Sequence, residues 1–373
     1  METDTLDSLT IAIDGNEANV KARVGVNNFA FEVIWGIYRQ RRKQDRYLIF
    51  LARPALEDFP PEGKNWHYEI FGPPKFWTRI ALPKRLFFGK PKPDVILSLS
   101  HYGPGWSPIP SIVSIMDLGF LHWQDQFTKK DLYQLRNWTR SSVKKAKRVI
   151  SISEFTRQDL IKNYQIKPER IVVAYPGFTS SNKDRSSPRK IKTPANYLLT
   201  LGTLKPSKNL EGIIRALDIL VREKGLDLGL VIAGKKGWLF ESIFDLVKEL
   251  HLSRRVVFTG YINEAEKKTL LRGAKLFVMP SFWEGFGIPA LEAMAAKLPV
   301  VCSDRGSFPE ITGQAAVLVN PHDHRQLADK IFEVLSDKKI REKMIEAGKK
   351  QVKLFDWKNC SRIILETVYE LVD

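Results

Sequence analysis

At 373 residues, the chain is longer than one hydrophobic core usually supports, so we expect two domains with a cleft between them. Hydrophobic residues make up 43% of the chain and charged residues 27%, a composition that excludes a disordered protein. The formal charge of +17 would attract anions, but Lys and Arg are spread over both halves and match no nucleic-acid-binding module. We therefore expect no nucleic-acid partner.

Cysteine usage and hydropathy indicate which further classes of protein can be excluded. Cys302 and Cys360 are the only cysteines and form no CxxC motif, so neither a disulfide framework nor a zinc site is predicted. No apolar run reaches the roughly 18 residues that a membrane-spanning helix needs. The N-terminus is acidic and does not resemble a secretion signal. We expect a cytoplasmic protein, with peripheral contact at the inner membrane face as the alternative location.

Short β-type runs alternate with helical stretches through residues 1–180. The first run, Leu9 to Gly15, precedes a loop with Gly25 and a helical pattern from Asn27 to about Gln40. Further runs begin near Tyr47, Asp94, Ser111, Arg148 and Arg170. Because strands that alternate with helices form parallel sheets, this part is predicted to be a Rossmann-like, doubly wound α/β domain.

The α/β pattern restarts after a break. Residues 181–196 are rich in Ser, Pro, Lys and Arg and predict a linker. Strand and helix patterns resume at Tyr197 and predict a second Rossmann-like domain over residues 197–355. A final amphipathic helix, within residues 356–373, has no strand after it. We expect it to pack back toward the N-terminal domain.

The segment from Ser281 to Met294 carries the strongest functional pattern. A strand ends before a loop with Glu284 and two glycines, and Pro289 suits the first turn of the following helix. The N-terminus of such a helix, at the carboxyl edge of a parallel sheet, binds phosphate groups well. Glu284 and Glu292 can accept hydrogen bonds from vicinal hydroxyls. The alternative is an ordinary strand-to-helix turn.

A second pattern lies at LGTLKPSKNL, from Leu201 to Leu210. Here a strand gives way to a glycine turn, two lysines and a helix that Asn209 would cap. A lysine over a diphosphate neutralises the charge of a leaving group in the transition state, and Lys208 is our choice for this role. The alternative is a solvated surface lysine.

The second half resembles the glycosyltransferase family 4 group of the GT-B fold over nearly its whole length. The resemblance rests on GTLKPSKN, on the run from Phe258 to Met294, on LPVVCSDRGSFPEI, and on Glu284 and Glu292 with seven residues between them. The first half resembles the family more loosely. The resemblance implies a GT-B architecture of two Rossmann-like domains that face each other across a cleft.

The resemblance also implies an activity. We expect a retaining transfer of a hexose, with mannose favoured, from a nucleoside diphosphate sugar to a glycan or lipid-linked glycan in cell-surface polysaccharide synthesis. GDP-mannose is favoured over UDP-sugars as the co-substrate, and neither a cofactor nor a metal is expected. A catalytically inert relative that binds nucleotide sugar or glycan as a partner subunit is the alternative.

The family pattern assigns roles to residues of this chain. Lys208 would bind the diphosphate, Glu284 the donor sugar and Glu292 the ribose, and Lys208, Glu284 and Asp117 are the predicted catalytic residues. The remaining predicted donor-binding residues are Gly25, Gly202, Thr203, Gly260, Tyr261, Gly285, Phe286, Gly287 and Ile288.

The chain departs from the family pattern at Met116, where many relatives have histidine. In the front-face mechanism generally described for the family, the departing phosphate oxygen accepts the acceptor's proton, so an enzymic base is dispensable and we still expect activity. His101 and His122 are the acceptor-side candidates, and each is also explained by a structural role. An NAD-dependent enzyme is excluded because no GxGxxG follows the first strand.

The stretch from Lys75 to Lys92 has six basic residues, no acidic ones and several aromatic side chains. Such a stretch could rest on anionic lipid and bring the enzyme to a membrane-held acceptor. Pro83 interrupts any single helix here. The alternative is a helix of the first domain whose apolar face is buried and whose basic residues are solvated.

Overall fold

The computed structural model describes residues 8–21, 23, 25–178, 188–237 and 239–372. These form two compact units. The first comprises the described residues up to His122, Phe127–Gly177 and the chain from Asp356 onward, and the second comprises Trp123–Gln126 and the described residues between Phe178 and Phe355. The N-terminal residues 1–7 and residues 181–187 of the predicted linker lie outside the described residues.

The described part of the first unit contains a sheet of seven parallel strands. They are β1 (Thr10–Asp14), β2 (Arg46–Leu51), β3 (Trp66–Ile70), β4 (Val95–Ser98), β5 (Ser111–Ile115), β6 (Arg148–Ser151) and β7 (Ile171–Val173). The helices up to Gly177 are α1 (Val26–Gln40), α2 (Leu82–Phe88), α3 (Gly119–His122), α4 (Lys129–Lys145) and α5 (Glu154–Tyr164). The strand order is β3-β2-β1-β4-β5-β6-β7. The chain therefore adds strands on one side of β1 up to β3 and on its other side from β4 onward.

The described part of the second unit contains a sheet of six parallel strands. They are β8 (Tyr197–Leu201), β9 (Gly229–Ala233), β10 (Val256–Gly260), β11 (Leu276–Met279), β12 (Val300–Ser303) and β13 (Ala316–Val319). The helices are α6 (Leu210–Arg222), α7 (Glu241–Glu249), α8 (Glu264–Gly273), α9 (Ile288–Ala295), α10 (Phe308–Thr312), α11 (His324–Ser336) and α12 (Lys338–Gln351). In the order β10-β9-β8-β11-β12-β13, the chain adds β9 and β10 on one side of β8 and the later strands on the other, so the order reverses between β8 and β11.

The interior strands β8 and β9 are apolar because both faces of the second sheet are covered. All five residues of β8 and all five of β9 are buried. Helices α6 and α11 close one side of the second sheet with Ile213, Leu217 and Ile331, which are fully buried. Continuous apolar runs bounded by helices are typical of doubly wound folds. The predicted α/β class with two Rossmann-like domains is confirmed.

The last helix, α13 (Trp357–Val372), packs against α1 within the first unit. Gln40 Nε2 donates to Ser361 Oγ at 2.7 Å, and the Tyr369 hydroxyl donates to Asp45 Oδ2 at 2.9 Å. Buried side chains on one face of α13, among them Ile364 and Val368, complete the apolar contact. The chain therefore returns to its first unit after completing the second.

Two structural details bear on the sequence predictions. Strand β3 was not predicted, because it lies at the sheet edge and only one of its five residues is buried. Among the described residues, no helix combines the length and the apolar character needed to cross a membrane.

Candidate functional site

Lys208 lies in the connection between β8 and α6, at the carboxyl edge of the second sheet. The turn Pro206–Lys208 ends at Asn209, whose Oδ1 accepts a hydrogen bond from Gly212 N at 3.2 Å and so caps α6, as predicted. The Asn209 amide also donates to Pro280 O at 3.1 Å. This side chain therefore joins the loop after β8 to the loop after β11.

Glu284 lies in the loop between β11 and α9 and contacts Lys208 directly. The Lys208 ammonium forms an ion pair with Glu284 Oε1, and Ser281 Oγ donates to the same oxygen at 3.3 Å. The two side chains of the ion pair are 17% and 14% exposed, so both are largely removed from solvent. The structure thus brings together the two residues that the sequence places far apart.

The position of this ion pair follows from the strand order. Strands β8 and β11 are neighbours because β9 and β10 lie on one side of β8 and the later strands on the other. In doubly wound sheets, ligands bind outside the carboxyl ends of the strands at such a reversal. Lys208 and Glu284 follow the two strands that flank it.

Helix α9 begins beside Glu284. The N-cap residue Gly287, just before the helix, has a φ of 98°, a left-handed conformation that favours glycine, and provides no side-chain cap for the first turn. Pro289 lies at the start of the helix, as predicted. The partial positive charge of this end, together with Lys208, suits the binding of a diphosphate.

A second loop holds the Glu284 segment in place. Ser307 Oγ donates to Phe286 O at 2.7 Å and to Glu284 O at 3.2 Å. Gly306, with a φ of 67°, lies so close to Glu284 that a Cβ would be 2.8 Å from the Glu284 carbonyl oxygen. The sequence analysis missed both residues, although the SDRGS motif between β12 and α10 was part of the quoted family pattern.

Glu292 lies on α9 and is held by a lysine that the sequence analysis missed. Glu292 Oε1 is 2.5 Å from Lys267 Nζ, and Lys267 also contacts Glu264 Oε1 at 2.7 Å. Burial raises the pKa of Glu292, and the nearby Lys267 ammonium opposes that rise.

The other predicted donor-binding residues of the second unit lie at the same sheet edge. Gly202 and Thr203 follow β8, and Gly202 N donates to Ala233 O at 2.9 Å. Gly260 ends β10, and the exposed ring of Tyr261 lies under Lys235 Nζ at 4.9 Å. Three predicted donor-binding residues lie where the chain enters α9: Gly285 and Phe286 precede the helix and Ile288 is its first residue. The Phe286 side chain is buried against Phe355.

In the first unit, the two histidine candidates differ. His122 Nε2 is 3.2 Å from Asp159 Oδ1, which gives this ring a structural partner. His101 follows β4, and burial lowers its pKa while nearby Asp117 opposes the change. The His101 Nδ1 atom is buried, and none of the described residues forms a hydrogen bond with it.

Met116 and Asp117 lie on the connection between β5 and α3 of the first unit, and Gly25 lies on the connection between β1 and α1. Asp117 Oδ1 accepts from Gly119 N at 2.7 Å, and the Met116 carbonyl accepts from Thr156 Oγ1 at 3.1 Å. Gly25 stands immediately before α1 and has a φ of 48°, a left-handed conformation that favours glycine.

Asp14 is a further buried carboxyl group at the end of β1, and the sequence analysis did not single it out. Its Oδ2 accepts from Trp77 Nε1 at 3.0 Å. Within the described residues, no three His, Cys, Asp or Glu side chains are grouped so that they could hold a metal ion.

Two models of glycosyltransferase families match this chain. The model of the "Glycosyl transferases group 1" family matches residues 181–351, and that of "Glycosyltransferase Family 4" matches residues 37–181. The chain is 29% identical to O-antigen chain mannosyltransferase B of Escherichia coli over 67% of its own length and 68% of that protein. It is 32% identical to the O-antigen chain mannosyltransferase RfbU of Salmonella typhimurium, over 60% of its own length and 61% of that protein.

A third relative, the serotype-specific mannosyltransferase WbdA of Escherichia coli, is 28% identical over 60% of the chain, which spans only 28% of that protein. Among solved structures, sucrose-phosphate synthase from Thermosynechococcus elongatus has a TM-score of 0.74 at 18% identity, covering 97% of this chain and 99% of that one. Anabaena HepE, in complex with UDP and glucose, has a TM-score of 0.72 at 19% identity, covering 98% and 100%. These structural neighbours share the GT-B fold. The two family models together span residues 37–351, and the chain belongs to the group 1 and family 4 glycosyltransferases.

Proposed function

We propose that this glycosyltransferase moves a hexose, with mannose favoured, from a nucleoside diphosphate sugar to a glycan or lipid-linked glycan, with retention at the anomeric carbon. The observation that carries the proposal is the Lys208–Glu284 ion pair, which lies beside the start of α9 where the order of the second sheet reverses. A lysine and a helix N-terminus together suit a diphosphate, and a carboxylate suits sugar hydroxyls.

In this proposal each group has one task. Lys208 and the first turn of α9 hold the diphosphate and stabilise its charge as the bond to the sugar breaks. Glu284 accepts hydrogen bonds from the sugar, and Glu292 accepts them from the ribose. Asp117 serves the acceptor side from the first unit, and the departing phosphate oxygen takes the acceptor's proton.

The relatives support the choice of sugar. Three of them are named as O-antigen or serotype-specific mannosyltransferases, which supports mannose as the sugar. GDP-mannose remains our preferred donor over UDP-sugars. The same names support a role in cell-surface polysaccharide synthesis. Because Lys208 and the helix N-terminus already supply positive charge, we propose that transfer needs no metal ion.

A transfer assay tests the proposed function. Purified protein is incubated with radiolabelled GDP-mannose or UDP-sugars and a lipid-linked glycan extract, with and without EDTA. We expect transfer that EDTA leaves unchanged and that Lys208→Ala and Glu284→Gln each lower by about 10²–10³-fold, the usual effect of removing one transition-state contact. Lys248→Ala, on the exposed face of α7, is the control for loss of charge.

Near wild-type transfer by Lys208→Ala would show that the donor site is wrongly assigned. Donor hydrolysis without acceptor is measured in parallel. If the wild-type protein showed neither transfer nor hydrolysis, that result would favour the alternative of an inert partner subunit.

We also propose that the segment from Lys75 to Lys92 contacts anionic lipid. Its exposed apolar side chains are Phe76, Ile80, Phe87 and Phe88. The segment also has six basic residues, of which Arg85 is largely buried in an ion pair with Glu69. Exposed aromatic groups with basic neighbours suit a membrane interface.

A further inference from the structure

Lys267 stands next to Glu292 and lies within the run from Phe258 to Met294, but the family pattern assigned it no role. It lies on α8, whose first turn is fixed by a capping box between Asn263 and Glu266. One turn of helix therefore presents Lys267 to α9. Its ammonium is 2.5 Å from Glu292 Oε1 and 2.7 Å from Glu264 Oε1.

Because the pair is largely buried, the ionisation of Glu292 depends on Lys267. The two side chains are only 18% and 15% exposed, so the carboxylate has lost most of its hydration. A buried carboxylate without a partner takes up a proton, because the charged form is poorly solvated. A protonated carboxyl group can still donate one hydrogen bond, but it no longer accepts two strong ones.

Recognition of a ribose diol needs the ionised form of the carboxyl group. Two vicinal hydroxyls each donate a hydrogen bond, and a carboxylate accepts both, which makes these bonds charge-assisted. Lys267 contacts Oε1, so its ammonium, which it shares with Glu264, offsets the charge of Glu292 and fixes its orientation.

We propose that Lys267 is a positioning residue for ribose recognition: it keeps Glu292 ionised and oriented so that the carboxylate accepts hydrogen bonds from the ribose hydroxyls of the donor nucleotide. The inference rests on the proposed function, since it takes the donor to be a nucleoside diphosphate sugar. It deepens that proposal by naming the residue that makes the site selective for ribonucleotides.

The test compares the affinity for GDP with that for 2′-deoxy-GDP, and UDP with 2′-deoxy-UDP, by calorimetry. The wild-type protein should prefer the ribose form by about tenfold or more, which corresponds to one hydrogen bond to a charged group. In Lys267→Met this preference should fall to about twofold or less near neutral pH. Lys267→Arg should retain it, and so should the control Lys248→Met.

The pH dependence separates positioning from a merely structural role. Without Lys267 the pKa of Glu292 rises further, so its ionised fraction grows as the pH is raised. The ribose preference of Lys267→Met should therefore increase as the pH is raised, and more steeply than that of the wild type. Glu292→Gln should show no preference at any pH. Because each ratio compares nucleotides with the same phosphates, ionisation of the ligand cancels.

The variants also control for folding. Lys267→Met leaves a buried carboxylate unpaired, and the double variant Lys267→Met with Glu292→Gln removes that charge, so its fold should be as stable as the wild type. An unchanged ribose preference in Lys267→Met at every pH would overturn the inference and leave the proposed function standing. Failure of the wild type to bind either GDP or UDP would overturn both.

Discussion

Asp14 shows how burial changes the chemistry of one residue at the edge of the first sheet. Its carboxyl group is 7% exposed and accepts hydrogen bonds from Trp77 Nε1 and Asn16 Nδ2, both at 3.0 Å. Burial raises the pKa of Asp14 from 3.8 to about 6, and these hydrogen bonds only partly oppose the rise. The folded protein therefore holds a proton here more tightly than the unfolded chain does.

This proton makes the contribution of Asp14 to stability depend on pH. Between about pH 4 and pH 6 the folded state binds more protons at Asp14, so this contribution falls as the pH rises, by on the order of 3 kcal/mol in total. Asp14→Asn has no such proton and should gain in free energy of unfolding relative to the wild type across this window. Urea denaturation at several pH values measures the difference.

Other carboxyl groups titrate in the same range, so the comparison is between variants rather than between pH values. Asp245→Asn, an exposed change on α7, is the control for replacing one carboxyl group by an amide. Parallel stability curves for Asp14→Asn and the wild type would contradict the account.

At the scale of elements, the segment from Lys75 to Lys92 divides into a buried and an exposed face. A π-helical turn over Trp77–Ala81 leads directly into α2, and Trp77, Leu82 and Leu86 pack into the core of the first unit. Pro83 lies in the first turn of α2, which explains how the chain continues as a helix through a proline. The buried face gives the exposed one a rigid support.

We predict that the exposed face of this segment binds membranes. Vesicles with anionic lipid should sediment the wild-type protein, whereas Ile80→Ser with Phe88→Ser should weaken binding by about tenfold, since each side chain buries apolar surface in the interface. Leu354→Ser removes an equally exposed apolar side chain from the second unit and should have no effect. High salt should weaken binding of the wild type. Equal sedimentation of the double variant would contradict this proposal.

At the scale of the whole molecule, hydrophobic periodicity was enough to predict the α/β class and most strand positions. Apolar runs such as those at Tyr197 and Leu228 are unambiguous, because parallel strands are buried on both faces. Edge strand β3 lacks this signal. The capping of α6 by Asn209 and the place of Pro289 were also predictable, since both depend on local backbone chemistry.

The parts of the site that depend on tertiary contacts were not predictable in the same way. Lys208 and Glu284 meet because strand order makes β8 and β11 neighbours, and the linear sequence does not state that order. Lys267 reaches Glu292 only through the packing of α8 against this edge. Ser307 acts on the Glu284 loop from a third connection. A local pattern identifies a loop, but long-range packing decides which side chains complete it.

The central claim is that the second unit binds a nucleoside diphosphate through Lys208. The most direct measurement is the thermal stability of the wild type and of Lys208→Ala with GDP, UDP and ADP. One nucleotide, with GDP favoured, should stabilise the wild type by about 2.7 kcal/mol at a concentration 100 times its Kd, by linkage of binding to folding. Lys208→Ala should show little of this gain at the same concentration. No stabilisation of the wild type by any of the three, or an equal gain in Lys208→Ala, would contradict the claim.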